Sequence, residues 1–163
     1  MAPTGKVALA INGTTTWTFA GMTPDSHKRK LDDLRKAARG KTARTRFRET
    51  DTIIIDEISM VENLHLERLN EIMKAGRNSS SPFGGVQVIV TGDFCQLPPV
   101  KPFQHCLYCG SDLVSTPEEE DTFHDCPRCR RRFRDSDKWA FRSDAWKECN
   151  FCQRTPEIHP SSK

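Results

Sequence analysis

The stretch DTIIIDEISM, residues 51–60, ends an apolar run on two adjacent carboxylates, Asp56 and Glu57. Three isoleucines in a row, Ile53 to Ile55, read as a strand buried on both faces. A strand that ends in two acids delivers them at its carboxyl edge, where parallel sheets take ligands. The first acid can hold Mg²⁺, directly or through water. The second can orient or deprotonate a water that attacks a terminal phosphate. The plainer reading is two surface acids capping a helix that starts near Ser59. A second apolar run, Val86 to Val90, leads into TGDFCQLPPV and puts the amide of Gln96 just past its end. That amide can sense a γ-phosphate or position the water, or it can belong to an ordinary turn. Leu97-Pro98-Pro99 then fixes the chain direction.

Seven cysteines include three C-x-x-C pairs. Cys106-x₂-Cys109, sixteen residues, then Cys126-x₂-Cys129 has the spacing of a zinc ribbon. Two knuckles of two thiolates complete a tetrahedron around one structural Zn²⁺, leaving no open position for water. A redox pair and free thiols in a disordered insert are the competing readings. His105 and His124 sit beside the knuckles, and either could replace a cysteine. Cys149-x₂-Cys152 has no partner pair and reads as coincidence. Cys95 reads as a small buried hydrophobe.

The elements that must position these groups follow from pattern. Thr4 can cap a short helix from Gly5 to Ile11, which Asn12-Gly13 breaks. Thr14 to Ala20 suggests a second short helix. Asp25 to Arg48 suggests a helix around Leu31 and Leu34, then a mobile stretch. Val61, Leu64, Leu69, Ile72 and Met73 share a helical face, with Gly76 as its C-cap. Strand, helix, strand makes a βαβ unit and a parallel sheet. Lys101 to Arg134 holds almost no aliphatic residues, cannot build a hydrophobic core, and needs metal to hold it. Lys138 to Phe151 is expected to form a helix returning to the main domain. The boundaries are therefore 1–100, 101–135, 136–152, and a disordered tail over 153–163.

The chain has 163 residues, enough for one domain plus a small module. Mean hydropathy is −0.65, so the core must come from a few dense segments. Between His27 and Arg48 ten Lys/Arg face two Asp, and Arg128 to Arg134 adds five Arg. Such clusters suit phosphate backbones, or are solvated faces. No apolar run approaches the ~18 residues of a membrane span, and no signal-peptide pattern opens the chain. A soluble, intracellular protein without a membrane partner is expected.

DTIIIDEISMV and GGVQVIVTGDFCQLPPV resemble motifs II and III of superfamily-one DNA helicases of the Pif type (petite integration frequency). APTGKVALAINGTTTWTFAG is similar to their motif Ia, and the resemblance resumes at KWAFRSDAWKECNF. It implies a partial RecA-like P-loop NTPase domain, α/β with a parallel sheet, carrying a zinc-ribbon insertion. It implies ATP-dependent 5′-to-3′ DNA unwinding in repair, recombination and telomere maintenance, in the nucleus or the mitochondrion. Asp56 would bind Mg²⁺, Glu57 would activate water, and Gln96 would couple the γ-phosphate to motion. Pro3, Thr4 and Gly5 would contact single-stranded DNA. Trp17 stands where relatives commonly have His, and a packed indole is expected rather than a base-stacking one. APTGK is not itself a phosphate loop, which reads G-x-x-x-x-G-K-[ST]. In the family that loop precedes motif Ia. The chain is therefore expected to be inactive by itself, with the Pro3–Gly5 segment poorly held. EIHPSSK resembles the next motif but departs at Pro160. The alternative function is a non-catalytic nucleic-acid-binding zinc protein, a remnant of a helicase.

Overall fold

The computed structural model describes residues 1–151. The expectations for the tail, for EIHPSSK and for Cys152 lie outside those residues. Helix α1 (Gly5–Ala10) starts where the Thr4 hydroxyl accepts from the Val7 amide at 3.4 Å. Helix α2 (Thr16–Ala20) starts the same way, Thr15 accepting from the Thr18 amide at 3.0 Å. Each hydroxyl satisfies a backbone donor that the first turn leaves without a partner.

The basic stretch forms two helices rather than one helix and a mobile segment. These are α3 (Leu31–Ala38) and α4 (Lys41–Glu49). Gly40 separates them with an extended backbone, ψ 150°. The fully buried Phe47 anchors α4. The Arg77 guanidinium closes its end by donating to the carbonyls of Phe47 and Thr50. Those last-turn carbonyls have no partner within the helix, and a cation there also matches the helix dipole.

Strand β1 (Thr52–Ile55), helix α5 (Asn63–Arg77) and strand β2 (Gln87–Val90) form the expected parallel βαβ unit. Thr52 pairs with Gln87 and Ile55 with Val90. The strands are not buried on both faces. Ile53 and Ile55 point into the core, whereas Ile54 and Ile89 are 50% and 40% exposed. α5 covers one face with Leu66, Leu69, Ile72 and Met73, all buried, each adding about 1.5–3 kcal/mol. A strand-like neighbour flanks β1 on its other side. The Met1 nitrogen donates to Ile54 O at 2.5 Å and its carbonyl accepts from Asp56 N at 2.9 Å.

Gly76 is not a C-cap. It lies inside α5, and a Cβ there would stand 2.3 Å from Phe47 Cδ2. The left-handed C-cap is Asn78, φ 54°. Glycine at 76 lets α4 approach α5 closely.

The cysteine-rich segment folds as an antiparallel sheet of β3 (Val114–Pro117), β4 (Thr122–Asp125) and β5 (Arg132–Arg134). It does have an apolar core, because it borrows one. Phe103 and Leu107 pack against Leu31 of α3 and Leu64 of α5. The helix expected over 138–151 is shorter, α6 (Asp144–Cys149) after a 3₁₀ turn at Ala140–Arg142. Lys138 and Trp139 cannot be helical, because their backbone pairs with Asn63 and Glu62. Among the described residues no helix is long and apolar enough to cross a membrane.

Candidate functional site

Asp56 and Glu57 leave the carboxyl end of β1, and the end of β2 is tied to them. Asp56 Oδ1 accepts from the Glu57 amide at 3.0 Å and from the Thr91 hydroxyl at 2.5 Å. Thr91 O in turn accepts from the Ile58 amide at 2.9 Å. Glu57 is left-handed, φ 54°, an uncommon conformation for a residue with a side chain. That turn aims the chain from the strand into Ile58–Met60, a 3₁₀ turn, so the two acids do not cap an α-helix. Gly92, φ 145°, passes so close that a Cβ would stand 2.8 Å from the Ile58 nitrogen. Both carboxylates are half-buried.

Gln96 follows one turn past β2 and is exposed. Asp93 organises that turn. It accepts from the Cys95 amide at 2.9 Å and from Gln96 Nε2 at 3.3 Å. The Cys95 amide first, then the Gln96 side chain, hold the Asp93 carboxyl below the usual range. Cys95 itself is exposed, not a buried hydrophobe. Phe94 pins the turn, its ring 4.8 Å from Phe141 and 6.0 Å from both Trp139 and Trp146. Thr91, Asp93 and Phe94 escaped the sequence reading, although T-G-D-F directly after an apolar run was the available signal.

Residues 3–5 run past the carboxyl end of β1, because Met1 is level with Ile55. A poorly held segment was expected, but the residue before it is anchored and Thr4 caps α1. Ala2 is fully buried and pairs with the 14–16 backbone through bonds of 3.1 and 3.0 Å. Trp17 is a packed indole, 4.4 Å from the His65 ring and 5.9 Å from that of His27. His65 Nε2 and Thr16 Oγ1 are 2.8 Å apart. Burial lowers the His65 pKa to about 3, so the imidazole is neutral.

The four thiols of Cys106, Cys109, Cys126 and Cys129 lie within 4.8 Å of one another. Cys106 and Cys129 are 3.4 Å apart, as are Cys109 and Cys126. A tetrahedron with Zn–S near ~2.3 Å needs S···S of about 3.8 Å, which these separations bracket. The knuckles are backbone copies of each other. Cys106 N bonds Ser111 O and Gly110 N bonds Cys106 O, while Cys126 N bonds Arg131 O and Arg130 N bonds Cys126 O. Burial pushes the Cys106 thiol up, and a cation bound among the four sulfurs would favour its thiolate. The donor set fits a metal. His105 and His124 stand outside it, against Asp112 and Asp135. Cys149 packs against the main core, and burial raises its thiol to about 11.

The module is clamped to α5 by two charged residues, the buried Arg68 and the half-buried Glu62. Arg68 Nη2 donates to His105 O at 3.0 Å, and Glu62 accepts from the Phe103 amide at 2.8 Å. On the module's outer face Arg131 stacks on Tyr108 at 3.6 Å and Arg132 on Phe123 at 3.8 Å.

These features define an α/β domain with a pair of acids at the carboxyl edge of a parallel sheet and a four-thiol module beside it. The family profile described as PIF1-like helicase matches residues 1–105. The chain belongs to that family. It is 40% identical over 148 residues to an ATP-dependent DNA helicase PIF1 of Candida albicans, covering 90% of this chain and 14% of that protein. It is 36% identical over 152 residues to an ATP-dependent DNA helicase Pif1 of a Psychrobacter species, covering 92% of this chain and 18% of that protein. The crystal structure of the Candida albicans Pif1 helicase superposes with a TM-score of 0.64 at 37% identity, over 94% of this chain and 27% of that one. A Bacteroides Pif1 helicase in complex with ADP-AlF3 and ssDNA gives 0.51 at 32% identity, over 63% of this chain and 24% of that one. The chain thus spans under a third of each relative it resembles.

Proposed function

We propose that these residues form part of the first, RecA-like motor domain of an ATP-dependent DNA helicase that moves 5′ to 3′. The observation that carries this reading is the acid pair at the carboxyl edge of β1, cross-linked through Thr91 to the end of β2, with Gln96 one turn on. ATP with Mg²⁺ would lie along that edge and supply the terminal phosphate. Asp56 would hold the metal, Glu57 would take a proton from water, and the Gln96 amide would register the γ-phosphate. No G-x-x-x-x-G-K-[ST] occurs in the sequence, so a phosphate cradle must come from outside these residues. Pro3, Thr4 and Gly5 would contact single-stranded DNA at the same edge. One Zn²⁺ on Cys106, Cys109, Cys126 and Cys129 would hold the two knuckles together. Repair, recombination and telomere maintenance, in the nucleus or the mitochondrion, are the processes this reading points to.

The test grafts the chain into the Candida albicans PIF1 helicase in place of the matching segment. The chimera should hydrolyse ATP when single-stranded DNA is added and unwind duplexes bearing a 5′ tail. Glu57→Gln should lower turnover by ~10²–10⁴-fold, the usual worth of a positioned base, without loss of DNA binding. The ungrafted chain should stay below ~1 s⁻¹, the low end of enzyme turnover. A chimera that binds single-stranded DNA and nucleotide but hydrolyses nothing would overturn the reading. The chain would then be a non-catalytic nucleic-acid-binding zinc protein.

A further inference from the structure

Helix α4 carries Lys41, Arg44, Thr45 and Arg48 at positions i, i+3, i+4 and i+7. That spacing puts all four on one face. With Arg39 at the end of α3 they line an open concavity of about 530 Å³. Its walls hold four cations and one hydroxyl, with no carboxylate and no aromatic or aliphatic side chain. All five residues are exposed. Among the described residues none of the four cations has an acidic partner, whereas neighbouring Arg35 and Lys74 pair with Glu71 and Glu148.

The stripe is unfavourable for the helix that bears it. Arg44 and Arg48 are like charges four residues apart, which repel. Lys41 occupies the first turn, where the helix dipole disfavours a cation, and no acid lies there. The helix is nonetheless held rigidly, by the buried Phe47 and by the Arg77 clamp on its last carbonyls. A fixed row of uncompensated cations is preorganised for a polyanion. The absence of apolar groups argues against a protein partner, whose anchors are aromatic or aliphatic pockets. The absence of aromatics also removes any platform for base stacking. What remains is recognition of phosphate alone.

The stripe lies apart from the site described above. Two residues separate α4 from β1, so Arg48 is near the amino end of the strands. Asp56, Glu57 and Pro3–Gly5 lie at the carboxyl end. We propose that the α4 stripe is a second nucleic-acid surface, one that grips the phosphodiester backbone without regard to base sequence. The proposal does not depend on ATP hydrolysis.

The experiment is a salt titration of the zinc-loaded chain on two fluorescein-labelled probes of mixed sequence, a 20-base-pair duplex and a 20-nucleotide single strand, read by anisotropy. Lys41→Gln, Arg44→Gln and Arg48→Gln are combined. Each lost phosphate contact removes about 0.9 from the salt slope on duplex and about 0.7 on single strand. Three contacts therefore remove about 2.7 or 2.1, which at physiological salt is roughly a 10²-fold loss of affinity. The arm that shows the loss identifies which form of nucleic acid the stripe holds. Arg44→Lys with Arg48→Lys should keep the slope. Arg128→Gln, Arg130→Gln and Arg131→Gln together remove the same charge from the cysteine module and should move the slope by less than about 1. A slope unchanged on both probes in the α4 triple variant would overturn the proposal. So would equal losses in the two triple variants, which would mean diffuse charge rather than a site.

Discussion

Gly110 and Arg130 occupy the same place in the two knuckles, each following the second cysteine, and both are left-handed, φ 72° and 57°. Positive φ cannot explain why one is glycine, since the other carries a full side chain. The difference lies outside the knuckle. A Cβ on Gly110 would stand 2.1 Å from Lys28 O and 2.4 Å from Lys28 C, both backbone atoms. Arg130, by contrast, is exposed. Gly110→Ala should therefore incur two costs. The left-handed Cβ costs about 1–2 kcal/mol. Overpacking against an immovable backbone costs about 1–3 kcal/mol more. The sum, about 2–5 kcal/mol, would be read from urea unfolding of the chain at one fixed excess of zinc. Arg130→Gly should change stability by less than about 1 kcal/mol, because relief of the left-handed strain is offset by backbone entropy. A second readout is local. The Leu31 amide bonds Tyr108 O at 3.2 Å across this junction, and its hydrogen exchange should speed up in Gly110→Ala. If Gly110→Ala costs no more than the left-handed term and Leu31 stays protected, the module is not docked on the 28–31 segment in solution.

Three further outcomes are expected. Gly76→Ala should destabilise by about 1–3 kcal/mol in thermal melts despite alanine's better helix propensity, because its Cβ meets Phe47 Cδ2 at 2.3 Å; a gain in stability would mean that α4 does not pack there. Cys106→Ser with Cys126→Ser should remove one zinc per chain in metal analysis and Cys149→Ser should remove none, so unchanged stoichiometry in the double variant excludes this ligand set. The His65 imidazole, lowered to about 3 by burial, stays neutral while an unfolded histidine takes up its proton near ~6.5. Its contribution is therefore whole above about pH 6.5 and is lost as pH falls toward 3, by up to ~1.4 kcal/mol per pH unit. Zinc release adds to that slope, so the measure is the difference between wild type and His65→Gln, and parallel stability curves would exclude the assignment.

Local rules were enough to read several elements directly. Thr4 and Thr15 each precede a short helical stretch, and a hydroxyl there needs only its own next turn to act as a cap. The βαβ unit follows from two apolar runs flanking a helical face, and the four-thiol set follows from knuckle spacing alone. The positions of Asp56, Glu57 and Gln96 just past strand ends were legible for the same reason, since they depend only on where a strand stops.

What depended on contact between distant segments was not legible. Gly76 had the look of a helix stop, but its reason is Phe47, almost thirty residues earlier. Ile54 and Ile89 carry the same pattern as buried residues, and only the arrangement of helices leaves their face open. The cysteine-rich segment lacks a core of its own composition and completes one with Leu31 and Leu64 of the main domain. The α4 stripe was visible as charge, but only tertiary structure shows that its cations have no acidic partner among the described residues while Arg35 and Lys74 find acids. Capping, strand ends and knuckles are set by neighbours within a few residues, so the local sequence determines them. Burial, close approach and charge compensation are set by whatever the fold brings alongside, and only the tertiary structure decides them.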